Sequence, residues 1–424
     1  MEEIYDVIVA GGGPSGLFCA ANTASAGKKV LLLEKKNSCG KKLLITGLSQ
    51  CNLTQKGDIK NFFLHYGANG KFLKPSLMNF TNSDLISFFN EHGLETVVEK
   101  NNKVFPKSKK ALDVLEVLLL ECQKTCVIIR CGEKLISASQ IKPSQINSAE
   151  LPYFSEDDVI FEIKTNVGDY FCRNLVVATG GITYPVTGST GDGYPVAEGF
   201  GHKTIDPRPA LCAVKISEYE FSDLAGISFE GAKISLFRNN KKVHECFGDV
   251  LFTHTGLSGP GILHMSRYIE PEDTIKISFL PEFNIDFFSK NLSEKIALNG
   301  KKTIKSVLME YNLYERFVRK ILKLCKIPVD LTCAHLSKDS KKRIVTEICS
   351  QEFHVESLSG INEAMVTRGG VSLLEINPKT MESKICRGLF FIGEVLDIDG
   401  DTGGYNLQSA FSTGFLAAKK ISND

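Results

Sequence analysis

Residues 7–20, VIVAGGGPSGLFCA, set an apolar strand, a run of glycines and the start of a helix in direct succession. Gly11, Gly13 and Gly16 form G-x-G-x-x-G between strand and helix, the context that separates a dinucleotide site from a chance glycine turn. The first glycine permits the tight turn, the second lets backbone approach a pyrophosphate, and the third lets helix and strand pack closely. Pro14 and Ser15 open the helix, whose N-terminal amides meet phosphate charge. Gly27 stops that helix, and a strand over 29–34 ends on Glu34, 23 residues after Gly11. A carboxylate at about this distance accepts hydrogen bonds from ribose hydroxyls. It also repels a 2′-phosphate, so the site suits FAD or NAD and disfavours NADP.

Two later segments decide between those cofactors. LVVATGG, residues 175–181, is a buried strand followed by a small-residue turn carrying Thr179, Gly180 and Gly181. GLFFIGEVLDIDGDTGGYNLQSAFSTG, residues 388–414, again runs strand, Gly393, acid, glycine loop and helix. A simple nicotinamide dehydrogenase needs no such return, whereas an FAD fold does. Glu394 and Asp397 are the candidates for holding the ribityl chain. The Gly403, Gly404, Tyr405 and Asn406 backbone opens a helix toward the flavin, favouring its anionic reduced form.

The chain has 424 residues, 43% apolar and 23% charged, with a net charge of +1. These values describe a soluble multidomain protein with no global bias toward nucleic acid or membrane. No basic, then apolar leader opens the sequence, and no window offers about 18 uninterrupted apolar residues. The expectation is a cytoplasmic protein. Thirteen cysteines lie in apolar contexts without metal-ligand spacing. Cys39 and Cys51, flanking the loop after the second strand, are the one candidate redox pair.

The fold class expected is α/β: a discontinuous Rossmann-like FAD-binding domain of glutathione-reductase type, with an inserted β-barrel-like domain and a helical cap. The FAD-binding domain takes residues 1–203 and 384–424. Helices are expected near 83–92 and 108–124, and a hairpin over 158–180 with an Asn-Val-Gly turn. Short strands broken by Gly, Asn and Pro mark a β-rich domain at 204–283 and 346–383. Residues 284–345 switch to helix, with Leu313, Phe317, Ile321 and Leu324 on one face. Between 283 and 347 there are 14 Lys and Arg against 7 Asp and Glu, a local charge of +7.

The sequence resembles the aminoacetone-oxidase-like FAD-dependent oxidoreductases, which include bacterial bile-acid-operon flavoproteins. The resemblance runs nearly end to end, on DVIVAGGGPSGL, GKKLLITG with CNLT, FPKSKKA, ATGGITYPVTGSTGDGY, LFTHTGLSGPGIL, AMVTRGGV, TMESK and the C-terminal block. It implies FAD contacts at the glycine loop, Glu34, Lys35, Lys41, Asn52, the ATGG turn and the C-terminal block. Where the family has Gly-Arg-Cys-Asn, this chain has Ser49, Gln50, Cys51 and Asn52. Gln50 offers a hydrogen bond but no charge. Adenine is expected at the backbone of Lys134 or Leu135.

The activity expected is that of an FAD-dependent oxidoreductase on a small molecule, with NAD(P)H or oxygen as redox partner. NAD(P)H would visit transiently, because the chain has only one G-x-G-x-x-G unit. Two alternatives stand beside it: a flavin-dependent RNA-modifying enzyme using the basic insert on phosphates, and a flavin redox sensor without turnover. His254 is a candidate acid or base, or a histidine satisfied at a strand end. Tyr184 and Tyr405 either line the substrate face or pack. Arg368 meets an anionic group or lies in a solvated turn. The sequence gives no oligomeric state.

Overall fold

The computed structural model describes residues 4–142, 145 and 159–423. The chain folds into two compact units, Met1–Ala210 with Ile361–Asp424, and Leu211–Gly360.

The first unit is built on β1 (Ile4–Ala10), α1 (Pro14–Ser25), β2 (Val30–Glu34), β3 (Ile128–Cys131), β4 (Leu135–Ile141), β5 (Ile160–Thr165), β6 (Asp169–Val177), β7 (Leu389–Phe391) and α2 (Tyr405–Ser422). The seven strands form one sheet in the order β3-β2-β1-β6-β5-β4, with β7 also on β6. Parallel pairing joins β3, β2, β1, β6 and β7, while β4 and β5 are antiparallel additions. β1 is buried almost throughout and β2 nearly so, as expected for parallel strands covered on both faces. The β5–β6 hairpin turns at residues 166–168, as the sequence indicates; residue 158 lies outside the described residues.

The β7 strand comes from the far end of the chain, pairing Phe391 with Val177. Helix α2 packs on α1: the ring of Phe18 meets Phe411 edge-on at 5.3 Å, and Phe80 and Phe88 at 5.0 Å each. Both ends of the sequence therefore share one hydrophobic core.

In the second unit, six strands close an antiparallel barrel. Around it run Val214–Ile216, Gly256–Ser258, Lys241–Phe252, Ser228–Arg238, Thr274–Ser278 and Gln351–Leu358, which returns to the first. Helices Ile285–Leu298, Ile304–Met309, Glu315–Leu324 and Lys338–Cys349 lie in the basic segment. They do not form a core of their own. Phe317 packs 4.8 Å from Phe229 and 4.7 Å from Phe279, placing helix and barrel in one apolar cluster.

Residues 366–371, read with the β-rich segment, instead pair with Thr204–Ala210 as a two-stranded sheet within the first unit. Their strand texture is real, but it reports pairing without saying which unit supplies the partner. No helix among the described residues is long and apolar enough to cross a membrane.

Candidate functional site

A cleft opens along the C-terminal edge of the parallel strands in the first unit. Crevices at the carboxyl ends of parallel strands are where doubly wound sheets bind dinucleotides. Its wall includes Gly11, Gly13, Pro14, Ser15, Glu34, Lys35, Lys41, Leu135, Thr179, Gly180, Glu394 and Asn406.

The glycine loop shows three separate constraints. Gly11 has φ +117°, and a Cβ there would lie 2.3 Å from the Ala178 carbonyl oxygen, so only glycine lets β1 and the turn after β6 approach. A Cβ on Gly16 would lie 2.0 Å from the Gly11 oxygen. This glycine serves packing and does not line the cleft. A Cβ on Gly13 would meet nothing within 4 Å. Gly13 caps α1 without any side-chain hydrogen bond, leaving the first amides of the helix for a ligand.

Glu34 ends β2 with its carboxylate fixed from both sides. Oε2 accepts the Gly12 N–H at 2.8 Å and Oε1 accepts the Lys36 N–H at 2.7 Å. Beside it, Lys35 donates to Thr190 and Asp192, and Lys134 lies 3.0 Å from the other Asp192 oxygen. Burial pushes the Asp192 carboxyl up, but Lys35 and Lys134 outweigh it and the net shift is downward. Asp192 thus stays ionised and ties together the two lysines that border Leu135.

At the other end of the cleft Lys42 Nζ contacts both oxygens of Glu394, at 2.8 and 2.9 Å, and the Thr183 hydroxyl at 2.8 Å. Glu394 Oε1 also accepts the Thr367 N–H at 2.8 Å. The carboxylate expected at the ribityl chain is already held by Lys42, the neighbour of the expected Lys41. The Lys41-Lys42 doublet was the available signal. Nothing local says which member faces an acid 352 positions away.

Several expected residues stand behind the wall. The Asp397 carboxylate accepts from Gly369 N–H and from Asn69, each at 3.0 Å; burial pushes it up, moderated by those donors. In the amide orientation that satisfies its neighbours, Asn52 donates to the carbonyls of Thr54 and Val104 and accepts the Gly404 N–H at 3.2 Å. Asn52 therefore braces the C-terminal glycine loop, while Gln50 lies off the cleft. A Cβ on Gly181 would run into Thr367, and one on Gly393 into Ser15. Gly403 and Gly404 approach Gln55 and Thr54 in the same close manner. Tyr405 stacks on His65 at 4.0 Å, accepts from the Tyr66 hydroxyl through its carbonyl, and has its own hydroxyl pushed up to about 12 by burial and then Asp401. Tyr184 sits at φ 54° and donates its N–H to Ile361. His254 is exposed in the second unit.

The cysteine pair does not form. Both thiols are free and buried, and burial pushes Cys51 up to about 12 and Cys39 upward as well. A thiol so raised is a poor nucleophile near neutral pH.

The HI0933-like protein Rossmann domain model matches residues 5–420. The chain belongs to this family. It is 34% identical over 425 aligned residues to a ribosomal RNA dihydrouridine synthase of Haemophilus influenzae, covering 100% of each chain. It is 29% identical to a 3-dehydro-bile acid delta(4,6)-reductase of Clostridium scindens, covering 97% of each. Among solved structures, a 3-ketosteroid-delta4-(5alpha)-dehydrogenase of Rhodococcus jostii RHA1 superposes with a TM-score of 0.50 at 14% identity, over 99% of this chain and 98% of that one. That likeness shows the fold.

This HI0933-like protein is an FAD-dependent oxidoreductase. Its cleft fits FAD on its own evidence. The Gly13 face is open, Glu34 ends β2 at ribose distance from the glycine loop, and the buried Thr179 hydroxyl on the wall lacks a protein hydrogen-bond partner. Such an orphan is a donor without a protein acceptor, one that a ligand or a water can satisfy.

Proposed function

We propose that this HI0933-like flavoprotein reduces a carbon–carbon double bond conjugated to a carbonyl, and that its substrate is uridine within ribosomal RNA. One observation carries the reading. Two relatives that match essentially the whole chain bear names describing the same chemistry on unlike molecules: forming dihydrouridine, and saturating the delta(4,6) bonds of a 3-oxo bile acid. In both, the carbonyl withdraws electrons from the double bond and makes its β carbon a hydride acceptor. Uridine takes precedence because the relative so named has the higher identity and matches over its full length.

FAD, when bound and reduced, supplies the hydride. The π bond is replaced by two C–H bonds, one from that hydride at the β carbon and one from a proton at the α carbon. A reduced nicotinamide dinucleotide restores the electron pair; with one G-x-G-x-x-G unit in the chain, it binds transiently. The α1 amides after Gly13 would hold the pyrophosphate and Glu34 the adenosine ribose, with the Thr179 hydroxyl as a further donor. Lys42 and Glu394 fix the opposite wall, and Asn406 braces the loop at the start of α2 through its bonds to Gly400.

The test is anaerobic. FAD-loaded protein is reduced with NADH or NADPH, then mixed with ribosomal RNA from a strain lacking this gene, and dihydrouridine is measured by nucleoside mass spectrometry. Dihydrouridine formation and flavin reoxidation are expected. Reoxidation by a conjugated 3-oxo steroid acid but not by RNA assigns the second reading, which the bile-acid relative favours. If neither reoxidises the flavin, the conjugated-bond reading fails.

A further inference from the structure

The basic segment of the second unit has a one-sided construction. Helix Glu315–Leu324 buries Phe317, Val318, Ile321 and Leu322 in the barrel cluster and turns Arg316, Arg319 and Lys323 outward. These three follow one another at spacings of three and four, so their side chains share a face about 5–6 Å apart. With Lys320 and the segment Asp223–Leu224 they line a groove in which Leu224 is the sole apolar residue. The next helix in chain order, Lys338–Cys349, buries Ile344, Val345 and Ile348 and exposes Lys338, Lys342 and Arg343. Lys326 is exposed just beyond the first of these helices.

Internal pairing accounts for only part of this charge. Lys295 and Lys302 share Glu310, Lys305 and Arg319 share Glu315, and Lys320 meets Asp223 at 3.1 Å. Arg316 donates to a backbone carbonyl, which neutralises nothing. Arg316, Lys323, Lys326, Lys338, Lys342 and Arg343 form no ion pair among the described residues. Six cations on and beside these two helices therefore remain unpaired, while the helices themselves bury Phe317, Val318, Ile321, Leu322, Ile344, Val345 and Ile348; the segment's exposed apolar side chains, such as Phe287 and Leu298, lie on the earlier helix Ile285–Leu298. A surface of that kind has little to offer an apolar partner or a bilayer core, and much to offer a polyanion.

We infer that the exposed face of helices 315–324 and 338–349 is the docking surface for the phosphate backbone of an RNA substrate. The inference rests on the uridine reading and adds to it which residues grip the RNA. Backbone contacts position a nucleic acid without reading its sequence, so the choice of uridine is left to the FAD-bearing unit. Each phosphate neutralised releases counterions, giving a slope of about −0.7 in log K against log salt per contact on single strands.

The experiment uses the full-length FAD-loaded protein and deproteinised bacterial ribosomal RNA, with filter binding from about 50 to 200 mM KCl. One variant carries Lys323→Gln, Lys326→Gln and Arg343→Gln; a second carries Lys338→Gln and Lys342→Gln. All five side chains are exposed, and unchanged flavin absorbance and melting temperature verify folding. The triple variant is expected to bind at least about tenfold more weakly at low salt, with a salt slope shallower by roughly 2; the double variant should flatten it by about 1. Variants that keep wild-type affinity and slope overturn the surface, and do so without touching the uridine reading if the wild type still forms dihydrouridine. Wild-type protein that binds RNA through these residues but never reduces it supports the surface and sinks the uridine reading. Wild-type protein that fails to bind RNA at low salt overturns both.

Discussion

Lys42 and Glu394 are 352 positions apart in sequence, yet the lysine ammonium bridges both carboxylate oxygens at 2.8 and 2.9 Å on the cleft wall. Both side chains are about one-fifth exposed, so neither is fully screened by water. Lys42→Met leaves a half-buried carboxylate with fewer donors. A loss of about 1–3 kcal/mol in apo-protein stability is expected from urea titration. Lys42→Met with Glu394→Gln should recover part of that loss; a double variant no more stable than the single one would show that the pair contributes little.

Thr179→Val separates fold from cofactor. Its hydroxyl is buried without a protein partner, so removing it should leave the apo melting temperature unchanged or slightly raised. FAD should bind more weakly by about 0.5–1.5 kcal/mol, a factor of roughly 2 to 10 read from flavin fluorescence quenching. Unchanged FAD affinity would show that the hydroxyl faces no ligand atom.

Two glycines of one motif should respond oppositely. Gly11→Ala forces a methyl to within 2.3 Å of a carbonyl oxygen at a positive φ, and is expected to cost more than about 2 kcal/mol in stability. Gly13→Ala adds its methyl to open space, so the apo fold should survive while FAD affinity falls about tenfold, close to 1.4 kcal/mol. Circular dichroism and cofactor titration on both variants read the contrast.

The loop that departs from the family pattern carries strain. Leu48, Ser49 and Cys51 adopt φ of 55°, 66° and 61°, a left-handed region that side chains resist. Ser49 stands where the resemblance leads one to expect glycine. Ser49→Gly is expected to raise stability by about 1 kcal/mol, since relief of the left-handed penalty exceeds the entropy glycine adds to the unfolded chain. A lower melting temperature would show that the serine side chain holds the loop by a contact worth more than the strain.

His202 gives the first unit an acid-sensitive point. It is buried, with Nε2 2.8 Å from the Ser383 hydroxyl and Nδ1 3.2 Å from Glu375. Burial lowers its pKa from 6.5, and the opposing pull of Glu375 does not restore it. The unfolded chain therefore binds a proton that the folded one refuses. The associated stability is complete above about pH 6.5 and declines as pH falls below it. Melting temperatures measured from about pH 7.5 to 5 should drop less steeply for His202→Gln than for the wild type.

The parts of the site legible in sequence were those whose chemistry is local. The glycine loop and Glu34 sit within one βαβ unit, where strand, turn and helix dictate one another, and all of the expected β1-to-β2 geometry follows from about thirty residues. Glu394 was also legible as a residue, because an acid after an apolar strand has few other uses there. Its partner was not, since no periodicity links Lys42 to a position across the fold. Asp397, Asn52, Gly403 and Gly404 look like ligand residues in sequence, and the structure shows that each also has a close neighbour within the protein. A buried acid or a close-packed glycine has the same one-letter signature in either role. The barrel's closure was beyond the reach of pattern alone: strand texture at 204–283 was plain, but the pairing of Gln351–Leu358 across both Val214–Ile216 and Thr274–Ser278 is a non-local choice.

The supply of β7 and α2 from the end of the chain imposes a timetable on synthesis. A ribosome adds about 5–20 residues per second, so some 200 residues between Ala210 and Asn406 delay completion of the cleft by roughly 10–40 seconds. During that interval β6 has one edge partly unpaired, and Phe18 has not yet met Phe411. The barrel unit, finished at residue 360, can fold inside this window. The cleft is therefore completed only after these elements are made, and a nascent chain stalled before residue 389 should emerge colourless.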